Sequence, residues 1–436
     1  MEKELRVKSN VFIWLICLFF FFSLIFPTDF QSERLPFLCL IVAMALFSYT
    51  MGKSNKIHAS IIFWYLICLI TSIFFVALGI YNNTPGAIPV MTVYVVWPAL
   101  YIILMGISDK LNPYIYLIRT ILYGTIVSSM MGIALLSEVY LGINFGMTRF
   151  AVESGWGVGI ENGSVAYSLP NIGTVICGTS LAIGLIFSGV YWGNIRICSN
   201  KLCYMALFLG VLSGILSGRQ ALFLSLLLAP VVYFVLNKLA GLSFALKGSS
   251  IYILIILIIS IAASAIIFEI DFSLFYKSIL DGFSRSESDS FLWRYIQFNA
   301  LIYEWGNSPI IGHGLGASSR LVIRSYEQPW AYELYYIALL FQTGIVGVTI
   351  YTSAVIWIFT KSVQIVRENP ETRSLLFPLL VCLSSLLFAN GTNPYLGKFD
   401  YLWVLFLPVG ILNLLMQATS HDRYSDRKLE LSGSAG

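Results

Sequence analysis

The chain has 436 residues, 58% of them hydrophobic and 11% charged, with a formal net charge of +4. A water-soluble domain carries about 25% charged residues, so this composition excludes a soluble enzyme and requires a body that faces lipid. The net charge says little by itself, and the placement of the charges says more; no nucleic-acid partner is expected.

Apolar segments lie near 12–27, 35–51, 59–80, 87–107, 114–138, 169–190, 201–217, 220–237, 249–269, 334–360, 374–389 and 401–418. The first ends in no small-residue cleavage site and is read as a membrane helix, not a leader. The expected fold class is an all-α polytopic membrane protein of about twelve transmembrane helices. Residues 1–269 hold the first nine with an outer loop at 139–168, and 270–333 form a large outer loop or cap. Residues 334–418 hold the last three, and 419–436 form a tail ending in LSGSAG, a small-residue stretch to which no function is assigned.

Basic residues fix the expected orientation. Lys3, Arg6 and Lys8 precede the first span, and Lys53, Lys56, Lys110, Arg196, Lys201, Lys238, Lys247, Lys361, Arg367, Arg373, Arg423, Arg427 and Lys428 all return to the same side under this count. By the positive-inside rule that side is cytoplasmic, with both termini on it. The seven cysteines form no CxxC pair and the three histidines stand far apart, so neither a metal nor any other cofactor is expected.

Arginines on the outer side need another reason. In LSGILSGRQALFLSL, Arg219 opens a span where a helix amino terminus offers free N–H groups, a place suited to phosphate; snorkelling to water would leave the same sequence. Arg294 lies in SFLWRYIQFNALIYEWGNSP, whose apolar spacing suggests an amphipathic helix over the membrane; a salt bridge to Glu304 or interfacial anchoring is the plainer role. Arg320 and Arg324 share one face if SSRLVIRSY is helical, an arrangement that an anion relieves, although two solvated arginines read identically. Gly312, Gly314 and Gly316 follow no strand and make no nucleotide loop; they serve close backbone approach or simple turns, with His313 between them as a substrate contact. Glu333 stands at the mouth of span 334–360 beside Trp330, Tyr332, Tyr335 and Tyr336. It serves as a base, or as a helix cap or brace, and the aromatic rings offer faces for sugars. Glu304, Glu327 and Asp289 are alternative carboxylates.

A lipid-embedded body, outer arginines, aromatic rings and one carboxylate suit glycosyl transfer from a lipid pyrophosphate, whose leaving charge arginines stabilise without a metal. The segments LSGRQALFLSL, WRYIQFNALIYEWGNSPIIGHGLG and YELYYIALLFQTGIVGV resemble the O-antigen polymerase and O-antigen ligase superfamily. Arg219 matches the family's arginine that opens a span, Arg294 its large-loop arginine, and Pro309 to Gly316 its P-x-x-G-x-G stretch. Glu333, eleven residues before Gly344, matches its histidine or glutamate position. The likeness covers mainly residues 213–350.

The resemblance implies a metal-independent, GT-C-like glycosyltransferase of the bacterial inner membrane with its active site facing the periplasm. Arg219, Arg294 and Glu333 would be catalytic, with Arg320, Arg324, His313, Trp330, Tyr332 and Tyr336 binding substrate. It also implies undecaprenyl-pyrophosphate-linked glycans as donor and acceptor, a flippase and a chain-length regulator as partners, and surface polysaccharide such as lipopolysaccharide O-antigen as product. Family ligases carry histidine followed by asparagine or serine where this chain has Glu333 and Leu334, which favours the polymerase. The rivals are a ligase joining glycan to lipid A core and a flippase or transporter. The latter predicts charges near the bilayer centre, whereas the ionisable residues of interest here crowd one face.

Overall fold

The computed structural model describes residues 2–27, 29–50, 56–106, 111–154, 157–161, 164–168, 171–217, 220–243, 249–267 and 289–433. Arg219 and the first part of the expected cap, 270–288, lie outside the described residues. In chain order the helices are α1 (Glu2–Ile25), α2 (Gln31–Thr50), α3 (Ala59–Tyr81), α4 (Ala87–Met91), α5 (Trp97–Met105), α6 (Asn112–Leu141), α7 (Met147–Glu153), α8 (Ile172–Ser188), α9 (Asn200–Leu216), α10 (Gln220–Leu239) and α11 (Ser249–Ile267). They continue with α12 (Asp289–Trp305), α13 (Tyr335–Glu368), α14 (Arg373–Ala389) and α15 (Trp403–Gly433). A π turn, Thr92–Val96, joins α4 to α5. The strands among the described residues are two small antiparallel pairs, β1 (Gly157–Glu161) with β2 (Ser164–Ser168) and β3 (Tyr191–Trp192) with β4 (Ile195–Arg196).

Among the described residues seven helical stretches are long and apolar enough to cross a membrane: Gln31–Ser48, Ala59–Tyr81, Ala87–Met105, Asn112–Val139, Tyr335–Glu368, Pro370–Ala389 and Phe399–Ala418. Shorter apolar helices lie at Val11–Ile25, Ile172–Ser188, Asn200–Leu216, Phe223–Leu239 and Ile251–Ser264. The protein is thus a helical, polytopic membrane protein by the length and composition of its helices. The segment 139–168 carries α7 and the first strand pair, and α15 continues as one helix to Gly433.

The centre of the bundle is α8, buried along nearly its whole length and packed on α14, α9, α6 and α10. A helix that is apolar on every side belongs inside. Two of its hydroxyls turn back on the helix, Thr179 Oγ1 donating to Val175 O (2.6 Å) and Ser188 Oγ to Gly184 O (2.8 Å); Thr174 Oγ1 donates to Leu24 O of α1 (2.7 Å), and Ser180 Oγ has no partner among the described residues. By contrast, α3 exposes Phe63, Ile70, Ile73 and Phe74, the composition of a lipid-facing side.

The helix α13 is interrupted at Gly344, whose φ of 60° and ψ of −169° leave the helical region. The chain 309–315 supplies what the interruption removes. His313 N donates to Phe341 O (3.1 Å) and Gly314 N to Gln342 O (2.8 Å), while Ile345 N donates to Pro309 O (3.0 Å) and Val346 N to Ile310 O (3.1 Å). On the other side Leu315 N donates to Phe75 O of α3 (2.9 Å) and Gly86 N to Gly316 O (3.0 Å). The glycine segment is therefore a strap seated between α3 and α13. A Cβ at Gly314 (φ +95°) would collide with the backbone of Leu78 and Gly79, and one at Gly344 with the backbone of Ile310. Close backbone approach, one of the two roles read from the sequence, is their role.

Gly142 also has a positive φ (+67°), but a Cβ there would meet open space. Gly142→Ala is expected to cost about 1–2 kcal/mol of left-handed strain. Gly314→Ala and Gly344→Ala, which add a backbone collision to that strain, should each cost more, and thermal unfolding of the three purified variants checks the order.

Candidate functional site

Several connections meet at one end of the bundle. The turn after α3 meets Trp330, against which a Cβ on Gly86 would clash, and the α14–α15 connection meets the start of α13, where Gly391 lies beside the Tyr336 ring. The same connection reaches the start of α2 through Arg34 and Asp400.

The helix α12 has two unlike faces. Arg294, Gln297, Leu301 and Glu304 recur at helical spacing and turn inward to varying depth, while Leu292, Trp293, Ile296 and Tyr303 are exposed. This is the amphipathic helix expected from the sequence. Its inner face grips the loop 317–334: Gln297 Oε1 accepts from Glu333 N (3.0 Å), and Glu304 Oε1 accepts from Ser319 Oγ (2.9 Å), Arg320 N (2.9 Å) and Leu321 N (3.2 Å).

Glu333 is the charged centre. Its Oε2 accepts from Arg294 Nε (3.0 Å) and its Oε1 from Arg324 Nε (3.3 Å). The side chains are 22% exposed for Glu333, 31% for Arg294 and 39% for Arg324, so all three remain open to solvent. Each guanidinium engages the carboxylate through Nε, and among the described residues no partner is recorded for the Nη groups of either. The cap of α13 is Leu334, with no side-chain hydrogen bond, so Glu333 does not cap the helix. Arg294 pairs with Glu333 rather than with Glu304, which is occupied by backbone donors.

The other expected site residues divide. The segment SSRLVIRSY is not helical, so Arg320 and Arg324 form no pair four apart on one face; Arg324 turns to Glu333 and Arg320 is exposed. The reason is Ser319, whose Oγ accepts from Leu321 N (3.0 Å) and Val322 N (3.2 Å) and holds a turn instead of a helix. His313 sits over Phe341 (4.8 Å between ring centroids) with Nε2 2.9 Å from Glu304 O. Tyr332 is 1% exposed; its hydroxyl accepts from Ser319 N (2.6 Å), and burial pushes its pKa up to about 12. Trp330 is half-buried against Gly86. Tyr336 keeps an exposed ring while its hydroxyl donates to Leu387 O. Glu327 is exposed, and Asp289 begins α12.

Sequence reasoning passed over two cations. Arg34 in the first turn of α2 is buried and bonded to Asp400 Oδ1 (2.8 Å) and Ser23 Oγ (3.1 Å), with its Nη2 unpartnered. Lys398 lies in the α14–α15 connection, and burial pushes its pKa down from the usual lysine value. Arg34 precedes the second apolar segment and Lys398 the twelfth, so the alternation of spans puts both on the expected outer side, where the rule that marked Arg219 would have marked them too. Among the described residues no three of His, Cys, Asp and Glu are grouped to hold a metal ion.

Fold and site together define a polytopic helical membrane protein with a cation-rich, carboxylate-centred cluster at one end of its bundle. No model of a known protein family matches the chain, and no curated protein matches it either.

The two carboxylates should differ in stability tests. Glu304→Ala strands three donors and is expected to cost about 1–3 kcal/mol. Glu333→Ala removes half-exposed ion pairs worth about 1 kcal/mol or less each. A thermal unfolding comparison checks that Glu304→Ala is the more damaging.

Proposed function

We propose that the chain joins oligosaccharide repeat units carried on undecaprenyl pyrophosphate into a surface polysaccharide, as a metal-independent polymerase of the bacterial inner membrane. The observation that carries this reading is the pair of guanidiniums held on Glu333 by Nε, with no partner for their Nη groups among the described residues. A bidentate fork of this kind suits phosphate oxygens. The resemblance of residues 213–350 to O-antigen polymerases supplies the substrate class.

In this reading the seven long and five shorter apolar helices all cross the membrane. Both termini are cytoplasmic and the cluster faces the periplasm. The donor's pyrophosphate competes with the carboxylate for Arg294 and Arg324, freeing a Glu333 oxygen for the acceptor sugar hydroxyl. Glu333 takes the hydroxyl proton, the hydroxyl oxygen bonds to the donor's anomeric carbon, and the bond from that carbon to the pyrophosphate oxygen breaks. The leaving charge is met by Arg294, Arg324 and, from its place in the sequence, Arg219. The exposed ring of Tyr336 and the half-buried Trp330 border the acceptor. A flippase supplies the units and a chain-length regulator limits the product.

Purified protein incubated with lipid-linked repeat units should yield a ladder of glycan lengths. Glu333→Gln keeps size and hydrogen bonding but not proton acceptance, and should lower turnover about 100-fold with little change in substrate binding. Turnover within about threefold of the unaltered protein would remove Glu333 as the base. Arg294→Ala and Arg219→Ala should each lose about 2–4 kcal/mol of transition-state stabilisation, with only partial rescue by lysine.

Sidedness has its own measurement. A cysteine introduced at Ser286 should react with a membrane-impermeant reagent in intact spheroplasts; labelling that requires lysis would reverse the orientation.

A further inference from the structure

Two thiols meet where the β3–β4 hairpin passes the chain to α9. Cys198 and Cys203 stand five positions apart with their Sγ atoms at 3.1 Å, and both are buried. Ser199 between them is the N-cap of α9, its Oγ accepting from Leu202 N (3.1 Å). Cys198 is therefore the residue before the cap and Cys203 the fourth residue of the helix, the two positions whose side chains close over a helix entry as a hydrophobic staple. An aliphatic pair would close it equally well. Here each half of the staple is a nucleophile instead.

The backbone around the pair is fixed by cations. Arg119 of α6 donates from Nε to Ile197 O (2.6 Å) and from Nη2 to Arg196 O (2.7 Å), while Arg196 Nε donates to Cys198 O (3.1 Å). The hydrogen bond from the Cys203 thiol, and behind it the charges of Arg119 and Arg196, pull the Cys198 thiol below its ordinary pKa against the effect of burial. Cys198 is thus the sulfur readier to become a thiolate, the form that reacts with oxidants. The flanking Arg196, Asn200 and Lys201 are exposed, so the loop meets solvent and a small oxidant can reach it. A disulfide holds its sulfurs at about 2.05 Å, so closure asks for a movement of about 1 Å.

We propose that Cys198 and Cys203 form a redox-modification site, a dithiol that hydrogen peroxide closes into a disulfide across the start of α9. The Cys198 thiolate attacks one peroxide oxygen and the O–O bond breaks. The sulfur becomes a sulfenic acid, and the second oxygen leaves as hydroxide, which takes up a proton to form water. The Cys203 sulfur then attacks the Cys198 sulfur, the S–O bond breaks, and the hydroxyl departs with the Cys203 proton as a second water. Two thiols have lost two electrons and one peroxide has gained them. A low-molecular-weight thiol reverses the bond by exchange and itself ends as a disulfide. On the expected cytoplasmic side such thiols keep the pair reduced until oxidant rises. The proposal uses nothing from the polymerase reading.

The test is mass spectrometry of the purified full-length protein after brief treatment with hydrogen peroxide, with free thiols blocked before digestion. Trypsin cuts between the cysteines at Lys201, so the disulfide appears as two joined peptides. Joined peptides in most molecules, separated again by dithiothreitol, are the expected result. In Cys203→Ser the sulfenic acid of Cys198 has no thiol to resolve it and should persist, trapped by dimedone; in Cys198→Ser, Cys203 should give no dimedone adduct. The linkage is read on the unaltered chain, so it decides the matter even where a serine variant fails to fold. Both thiols remaining free after peroxide overturns the proposal, as does Cys198 oxidised to a sulfinic acid without linkage, or either sulfur paired with another cysteine.

Discussion

The interruption of α13 at Gly344 is the constraint from which the site follows. A helix in apolar surroundings cannot leave N–H and C=O groups unpaired, because each would cost several kcal/mol. Here Phe341 O and Gln342 O lose their own helical donors, and Ile345 N and Val346 N lose their acceptors; the strap at 309–314 replaces all four. The exchange works only if the strap's backbone comes within hydrogen-bond distance along its length, so glycine is required at Gly312, Gly314 and Gly344. A bent helix and an irregular loop, each unstable alone in such a place, complete each other.

That exchange sets the position of everything around it. The strap leads from α12 and its far end continues into the loop that returns to Glu333. Gln342, just before the break, donates from Nε2 to Ala317 O (3.0 Å) and Trp330 O (3.3 Å), tying both ends of this loop to one turn of α13. Glu304 fastens the loop's middle from α12. Glu333 is thus anchored through its backbone N–H to Gln297 while its carboxylate remains free to face cations.

Two sets of ion pairs at the same end of the bundle are built differently. Arg34 and Asp400 are buried, and removing either would leave an uncompensated charge, so this pair suits a permanent strut between α2 and the α14–α15 connection. The pairs around Glu333 are half-exposed, and their contribution to stability is small. A weak pair is one that a stronger anion can open. In the proposed reaction the fixed pair holds the α14–α15 connection in place, and the exchangeable pairs respond to the lipid pyrophosphate.

The amphipathic α12 was legible in the sequence because helical spacing of apolar residues is a local property of neighbours three and four apart. The apolar segments were legible for the same reason, whereas the glycine run read equally as close approach or as simple turns until the strap was seen. The sequence also placed Glu333 and Arg294 among the candidates, but it could not pair them. Their 39-residue separation, like the 366 residues between Arg34 and Asp400, is bridged by packing that no local pattern encodes. Nor could sequence separate Glu304, which is consumed by backbone donors, from Glu333, or the buried Tyr332 from the exposed Tyr336. Periodicity decides which residues share a face. Which carboxylate is taken up by loop donors and which stands among half-exposed arginines is decided by where loops distant in sequence are brought together, and that was settled by the tertiary structure alone.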